Sequence, residues 1–312
     1  MHRRKIQLIA GSTYSVSLPK RWVFSQKLEK GKEVLIDEQR DGSLRLFVGQ
    51  EPQVTPEEIT LDIETHRESI DQVLFAIYYV GIRTIHIKHR ERIPAEIKQR
   101  IRETLRHMSG TEISYEDERS LTITSLLDLS KSDLPQVLFR ISLVINLSFT
   151  ALLEGTDLSE IKTNEREVDR LFHLAMKLIS LALLEPSMLA SSKIGRNHDA
   201  PSYVLIAKKL ENVHDLIEDL AETRLPFQKA KKTVLFLQEE FRRTIKHLLR
   251  GLGPGFVKAD QGLFGRQLVS LRKGKEHALA EGLEEVFNLL VDIQEEIVNL
   301  SFYRELREKG IV

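Results

Sequence analysis

From Ser132 to the C-terminus the apolar residues recur at helical spacing with no strand pattern between them, and this long run limits the fold more than any other feature. Helices are expected near 133–154, 157–186, 199–224, 226–250, 260–280 and 282–308. Ser132-Asp133 supplies side-chain oxygens suited to capping the first of them. The breaks fall at TDLS, SSKIGRNHDAP, Leu225-Pro226 and GLGPGFVKAD. Six long helices interrupted near the middle suggest two three-helix bundles in series.

The preceding residues read differently. Ile59, Leu61 and Ile63 alternate as a strand, whereas Ile70, Val73, Leu74, Ile77 and Tyr78 have helical spacing. Ile85 and Ile87 form a second strand. Pro94 opens a helix carrying Ile97, Ile101 and Leu105, and Ile113–Tyr115 and Leu121–Ile123 are two further strands. Residues 58–126 are therefore expected to be a small α/β domain. GQEPQVTPE (49–57) has the composition of a linker. Residues 1–48 form a β module, with Ile6, Leu8, Val16 and Leu18 in its first half. A short helix follows Pro19, and Val34, Ile36, Leu44 and Leu46 flank an Arg40-Asp41-Gly42 hairpin turn. A module this small cannot bury enough surface alone, so it should dimerise or exchange strands with a second copy. The expected class is multidomain α+β, with domains at 1–48, 58–126 and 132–312.

Charge is unevenly placed on a chain whose total is zero. Residues 1–50 hold 10 Lys and Arg against 5 Asp and Glu, a net +5, which leaves 36 against 41, a net −5, for the remainder. A basic head on an acidic body points to a polyanion at the head alone. The absence of cysteine excludes disulfides, thiolate zinc sites and a Cys nucleophile. Ile141–Leu153, the longest uncharged apolar stretch, falls short of the roughly 20 residues a spanning helix needs. No membrane insertion and a cytoplasmic location are expected. GxxxxGK[ST], HExxH, GxSxG and GxGxxG are all absent, and the chain is expected not to be an enzyme.

Arg3, Arg4, Lys5, Lys20 and Arg21 crowd around the β module and are the candidate DNA-binding residues; a dimer would double the patch. RRKIQLIAGSTYSVSLPKRWVFSQKLEKGKEVLIDEQRDGSLRLF resembles the AbrB/SpoVT swapped-hairpin domain. It has a basic first strand, SVSLPKRW, LEKG and a DG turn in that family's order; Lys32 stands where many relatives have Asp. The resemblance covers residues 3–47 and implies a dimeric DNA-binding fold, although some members act mainly in dimerisation.

Two helices carry acidic pairs at i, i+4, Glu165 with Asp169 and Glu211 with Asp215, and this spacing puts each pair on one helix face. Packed antiparallel, the helices would present four hard oxygen ligands to a cation; the same spacing is also common on solvated helices. Asp292 and Glu296 repeat it near the C-terminus, but Asp260 lacks an acidic partner four residues on. NEREVDRLFHLAMKLI and AKKLENVHDLIEDLAE are similar to the signature helices of the PhoU family. That resemblance covers roughly Asp133–Tyr303, is close over the first bundle and thin over the second. It implies tandem three-helix bundles, a divalent or iron-type metal at the paired carboxylates, and a role in phosphate homeostasis. Glu211-x-x-His214 has the i, i+3 spacing of di-iron bundles, but no second Glu-x-x-His accompanies it in the helical region; His214 is expected to pack beside the acidic face or add a ligand, with His173 one turn beyond Asp169.

Together these features lead to the expectation of a DNA-binding regulator of phosphate uptake. It would be a homodimer through its head, with phosphate-transport or signalling proteins as further partners. The alternative is a scaffold that restrains a phosphate transporter and uses its head only to dimerise. A carboxylate metalloenzyme is the third reading.

Overall fold

The computed structural model describes residues 3–9, 12–38, 44–48, 57–155, 158–223, 227–251, 256–273 and 277–311. The Arg40-Asp41-Gly42 turn, Leu225-Pro226 and most of the 49–57 linker lie outside them. The chain divides into two compact units, Met1–Val54 and Thr55–Val312.

The first unit contains two separate antiparallel hairpins. Strands β1 (Gln7–Ile9) and β2 (Thr13–Ser15) pair with Leu8 opposite Tyr14. Helix α1 (Lys20–Ser25) starts after Pro19, whose φ of −63° suits a helix entrance. Strands β3 (Val34–Glu38) and β4 (Leu44–Val48) pair with Ile36 opposite Leu46. Val16 and Leu18, expected on the second strand, follow its end. The Gln7–Ser15 register would put Val16 opposite Ile6, and pairing stops before that point. Among the described residues of this unit only Phe47 is buried, while Ile6, Leu8, Ile9, Val16, Leu35, Ile36 and Leu44 are largely exposed. Isolated two-stranded hairpins are marginal in water, and here most of the apolar side chains of both remain exposed.

The second unit begins with a four-stranded sheet of order β5-β6-β8-β7. Strand β5 (Glu58–Asp62) runs parallel to β6 (Thr84–Lys88), linked by α2 (Ile63–His66) and α3 (Ile70–Tyr79). Helix α4 (Ala95–Arg106) leads to the hairpin of β7 (Thr111–Glu116) and β8 (Ser120–Ser125), and β8 pairs antiparallel with β6. Ile63 opens a helix where alternation suggested a strand, because the Asp62 carboxylate accepts the Glu64 N–H at 3.1 Å and caps that turn. Leu61, Ile85, Ile87, Leu121 and Ile123 from the sheet meet Ile70, Leu74, Ile97 and Ile101 from the helices in one core. Gly81 turns the chain from α3 into β6 at φ +83°.

Among the described residues seven helices follow: α5 (Leu134–Glu154), α6 (Leu158–Leu184), α7 (Pro186–Ser191), α8 (Ala200–Glu222), α9 (Lys231–Arg250), α10 (Gln261–Arg272) and α11 (His277–Glu308). Asp133 caps α5 by accepting the Gln136 N–H at 2.8 Å, and Gly155 ends it at φ +66°. The first group, α5, α6 and α8, and the second, α9 to α11, follow one another in the chain but share a single core. In that core Ile141, Phe149, Leu178, Leu210 and Val213 are continuous with Leu237, Phe241, Phe264, Phe287 and Leu290. The two groups are fused side by side, with α8 on α11 and α5 on α9, because the facing stripes of α8 and α11 are both apolar. Helix α10 is shorter than expected and α11 begins ahead of residue 282. Gly282 lies inside α11, where it crosses α8 so closely that a Cβ would stand 2.7 Å from Leu220 Cδ2. Equivalent buried polar bonds tie each group together. His214 Nε2 meets Ser148 Oγ between α8 and α5 at 2.8 Å, and Gln294 Nε2 donates to Thr244 Oγ1 between α11 and α9 at 2.9 Å.

Candidate functional site

Helices α6 and α8 pack against each other, and Lys162 near the start of α6 reaches Glu222 at the end of α8 at 2.7 Å, so they run antiparallel. This arrangement brings the two acidic pairs together. One carboxylate oxygen from each of Asp169, Glu211 and Asp215 lies within 4.8 Å of the others. The Glu165 carboxyl is hydrogen-bonded to Asp169. Burial, then that bond and the charges around it, push Glu165 up to about 8. Burial, followed by the charges of Glu211 and Asp169, raises Asp215 to about 6. Glu218, one turn further, is raised as well, chiefly by burial.

Cations and imidazoles rim the cluster. Lys208 pairs with Glu211, and Lys162 stands 4.0 Å from Glu218. His107, directly after α4, places Nδ1 3.5 Å from Asp169 Oδ2. His173 stacks on Phe75 with centroids 3.9 Å apart and shares a 2.5 Å hydrogen bond with the Tyr79 hydroxyl. Burial, with His107 and Lys208 nearby, lowers His173 to about 4, which keeps it neutral. The α/β part is thus seated on the carboxylate-bearing helix. Arg170 of α6 donates to Ser109 Oγ at 2.7 Å beside the same contact.

His214 turns away from the carboxylates. It follows Leu210 by four residues and precedes Ile217 by three, and both are fully buried, so its ring enters the core toward Ser148. Asn164 Nδ2 donates to the same hydroxyl at 3.0 Å. The expected place of His214 beside the acidic face is therefore corrected.

Three carboxylate oxygens at this separation, with Glu165 joined to one of them, are hard donors that fit a divalent cation. Asp169, Glu211 and Asp215 would hold it, and its charge would offset the repulsion that raises Asp215. In the second group Asp292 accepts from Lys209 Nζ at 2.6 Å and Glu296 accepts from Asn299 Nδ2 at 3.2 Å. Asp260 caps α10 by accepting the Leu263 N–H at 3.0 Å. Asp215 and Asp292 also face a groove of about 420 Å³ between α8 and α11, with Asn212, Glu285 and Asn288 along its walls.

In the first unit Arg3, Arg4 and Lys5 precede β1, Lys20 and Arg21 open α1, and all five are exposed. Residues 7–57 match the family described as antidote-toxin recognition MazE, bacterial antitoxin. The match supports the swapped-hairpin reading of the N-terminal segment. Comparison with curated proteins and with solved structures finds no match. The whole is a multidomain α+β protein, with a hairpin module, a small sheet-containing part and a long helical region.

Proposed function

We propose that the protein is a DNA-binding regulator whose head pairs with that of a second copy and whose helical part responds to a bound cation. The observation that carries this reading is the head itself. A segment matching the MazE family combines five exposed cations with two hairpins whose apolar side chains, Phe47 aside, are largely exposed. Pairing with a second copy would cover those side chains and bring two sets of Arg3, Arg4, Lys5, Lys20 and Arg21 to DNA phosphates. The carboxylate group at Asp169, Glu211 and Asp215 supplies the sensing site in this reading, with Glu165 beside Asp169. The likeness of α6 and α8 to the PhoU signature helices supports phosphate homeostasis as the process and phosphate-transport or signalling proteins as further partners. The reading is of a cytoplasmic, non-enzymatic protein.

DNA affinity across a salt series tests it, comparing the intact protein with Lys20→Ala/Arg21→Ala on fragments upstream of phosphate-transport genes. The expected result is preference for those fragments, with weaker binding and a shallower salt slope in the variant. Equal, nonspecific binding by both would leave the head as a pairing device and favour the transporter scaffold.

A further inference from the structure

Helix α5 is long and apolar enough to cross a membrane by length and composition, yet only about half of its apolar stretch is buried in the bundle. Part of the remainder forms a ridge. Phe139, Leu143 and Leu147 succeed one another at i, i+4 and i+8 and are 45%, 48% and 54% exposed. Helix α9 lies alongside, where Arg242 Nε donates to Asn146 Oδ1 at 2.8 Å and Gln238 Nε2 bridges Asn146 Oδ1 and Thr150 Oγ1 at 3.2 and 3.1 Å. These bonds fill the furrow between α5 and α9, so the face offers a ridge rather than a slot for a partner helix.

The outer stripe of α9 beside the ridge carries Lys231, Leu235, Glu239, Arg242 and Lys246, all exposed. Three of its five side chains are cations, one is apolar and one is acidic; Arg242 Nη1 stands 3.8 Å from Glu239 Oε2, and Lys231 and Lys246 flank that pair. On the other flank Arg140 of α5 pairs with Glu167 at 2.9 Å. Apolar side chains and basic groups thus share one outward face. That combination is what holds an amphipathic surface helix at a lipid headgroup boundary, with the apolar side chains among the acyl ends and the cations at the phosphates.

We propose that the α5–α9 face docks the protein on an anionic lipid surface, lying on it rather than spanning it. The inference rests on the ridge and its charge, independently of the DNA reading.

The test is flotation of the full chain with vesicles of phosphatidylcholine alone and of an equal mixture with phosphatidylglycerol. Three variants are compared, each checked for unchanged helical circular dichroism: Leu143→Ser/Leu147→Ser, Arg242→Glu/Lys246→Glu, and Arg3→Ala/Arg4→Ala/Lys5→Ala for the basic head. The expected result is binding to the mixed vesicles only. It weakens roughly tenfold or more in each of the first two variants and is retained in the third. Absence of binding to the mixed vesicles overturns the proposal, as does binding lost only with the head variant. Sedimentation of the intact protein and the Leu143→Ser/Leu147→Ser variant supplies the last arm. A drop in mass for the variant would make the ridge an interface between copies and would also overturn it.

Discussion

The imidazole of His214 meets the hydroxyl of Ser148 at 2.8 Å between two helices, both side chains fully buried, and its other ring nitrogen, Nδ1, has no hydrogen-bond partner among the described residues. Gln294 occupies the equivalent place in the second group and satisfies both ends of its amide. It donates to Thr244 and accepts the Ala259 N–H at 2.9 Å. His214→Ala should therefore cost about 3 kcal/mol in urea unfolding, from the cavity and the lost buried bond to Ser148. His214→Gln should cost only about 1 kcal/mol, because an amide can keep the bond to Ser148.

Acid separates the same two proteins. Burial lowers His214 to about 4, below its unfolded value near 6.5, so the unfolded chain takes up a proton that the folded one refuses. The stability associated with the neutral ring is complete above pH 6.5 and is lost as pH falls toward 4, by up to about 3 kcal/mol. Unfolding free energies of the intact protein and His214→Gln, measured between pH 7 and 4.5, should diverge with the intact protein losing more; contributions from His173 and the carboxylates are common to both and cancel. Parallel curves would show that the ring is charged when folded.

The carboxylate cluster has the opposite slope. Glu165 and Asp215 are raised above their unfolded values, so their ionisation opposes folding. The stability they contribute is present below their unfolded values and is lost as pH rises through about 6 for Asp215 and about 8 for Glu165. Added Mn²⁺ or Mg²⁺ should raise the thermal midpoint at pH 8 and have little effect at pH 5. Asp169→Asn/Asp215→Asn should remove that response and raise the metal-free midpoint at pH 8. A midpoint insensitive to divalent ions at both pH values would argue against cation binding there.

At the seat of the α/β part on α6, Gly81 holds φ +83°, and a Cβ would lie 2.7 Å from Leu181 Cδ2. Gly81→Ala should destabilise by about 2 kcal/mol or more, combining left-handed strain with a forced shift of Leu181. Pairing it with Leu181→Ala should relieve only the steric share, a difference a double-mutant cycle in urea would resolve.

The far end of α11 is tied back by charge. Arg307 Nη1 donates to the two oxygens of buried Asp199 at 2.8 and 2.9 Å. Arg307→Ala leaves that buried carboxylate with only the Arg196 N–H and the His198 ring beside it and should cost about 3 kcal/mol, whereas removing both charges with Asp199→Asn/Arg307→Ala should cost less. Denaturant midpoints of the two variants would rank them.

Periodicity made the helical region legible, because a 3.6-residue apolar repeat sustained through α5, α6, α8, α9 and α11 has no other compact solution. It also led to the acidic pairs of α6 and α8, since i, i+4 spacing fixes a shared face. It was silent on what joins those faces to the rest. His107, Phe75 and Tyr79 reach the site only because the α/β part docks on α6, and no local spacing records such a docking. His214 shows the limit from the other side. Its distance from Glu211 suggests a ligand, but its distances from Leu210 and Ile217 assign it to the core, and burial of the apolar stripe decides between them. The lateral fusion of the two helical groups was equally hidden, because an apolar stripe names no partner.

The crossing of α11 over α8 at Gly282 has a consequence for how chains of this kind can diverge. Leu220 Cδ2 occupies the space that a side chain at 282 would need, so any residue larger than glycine there requires Leu220 to shift or shrink. A methyl group arriving at 282 is accommodated most readily where residue 220 is smaller than leucine, whereas a smaller residue at 220 places no demand on the glycine.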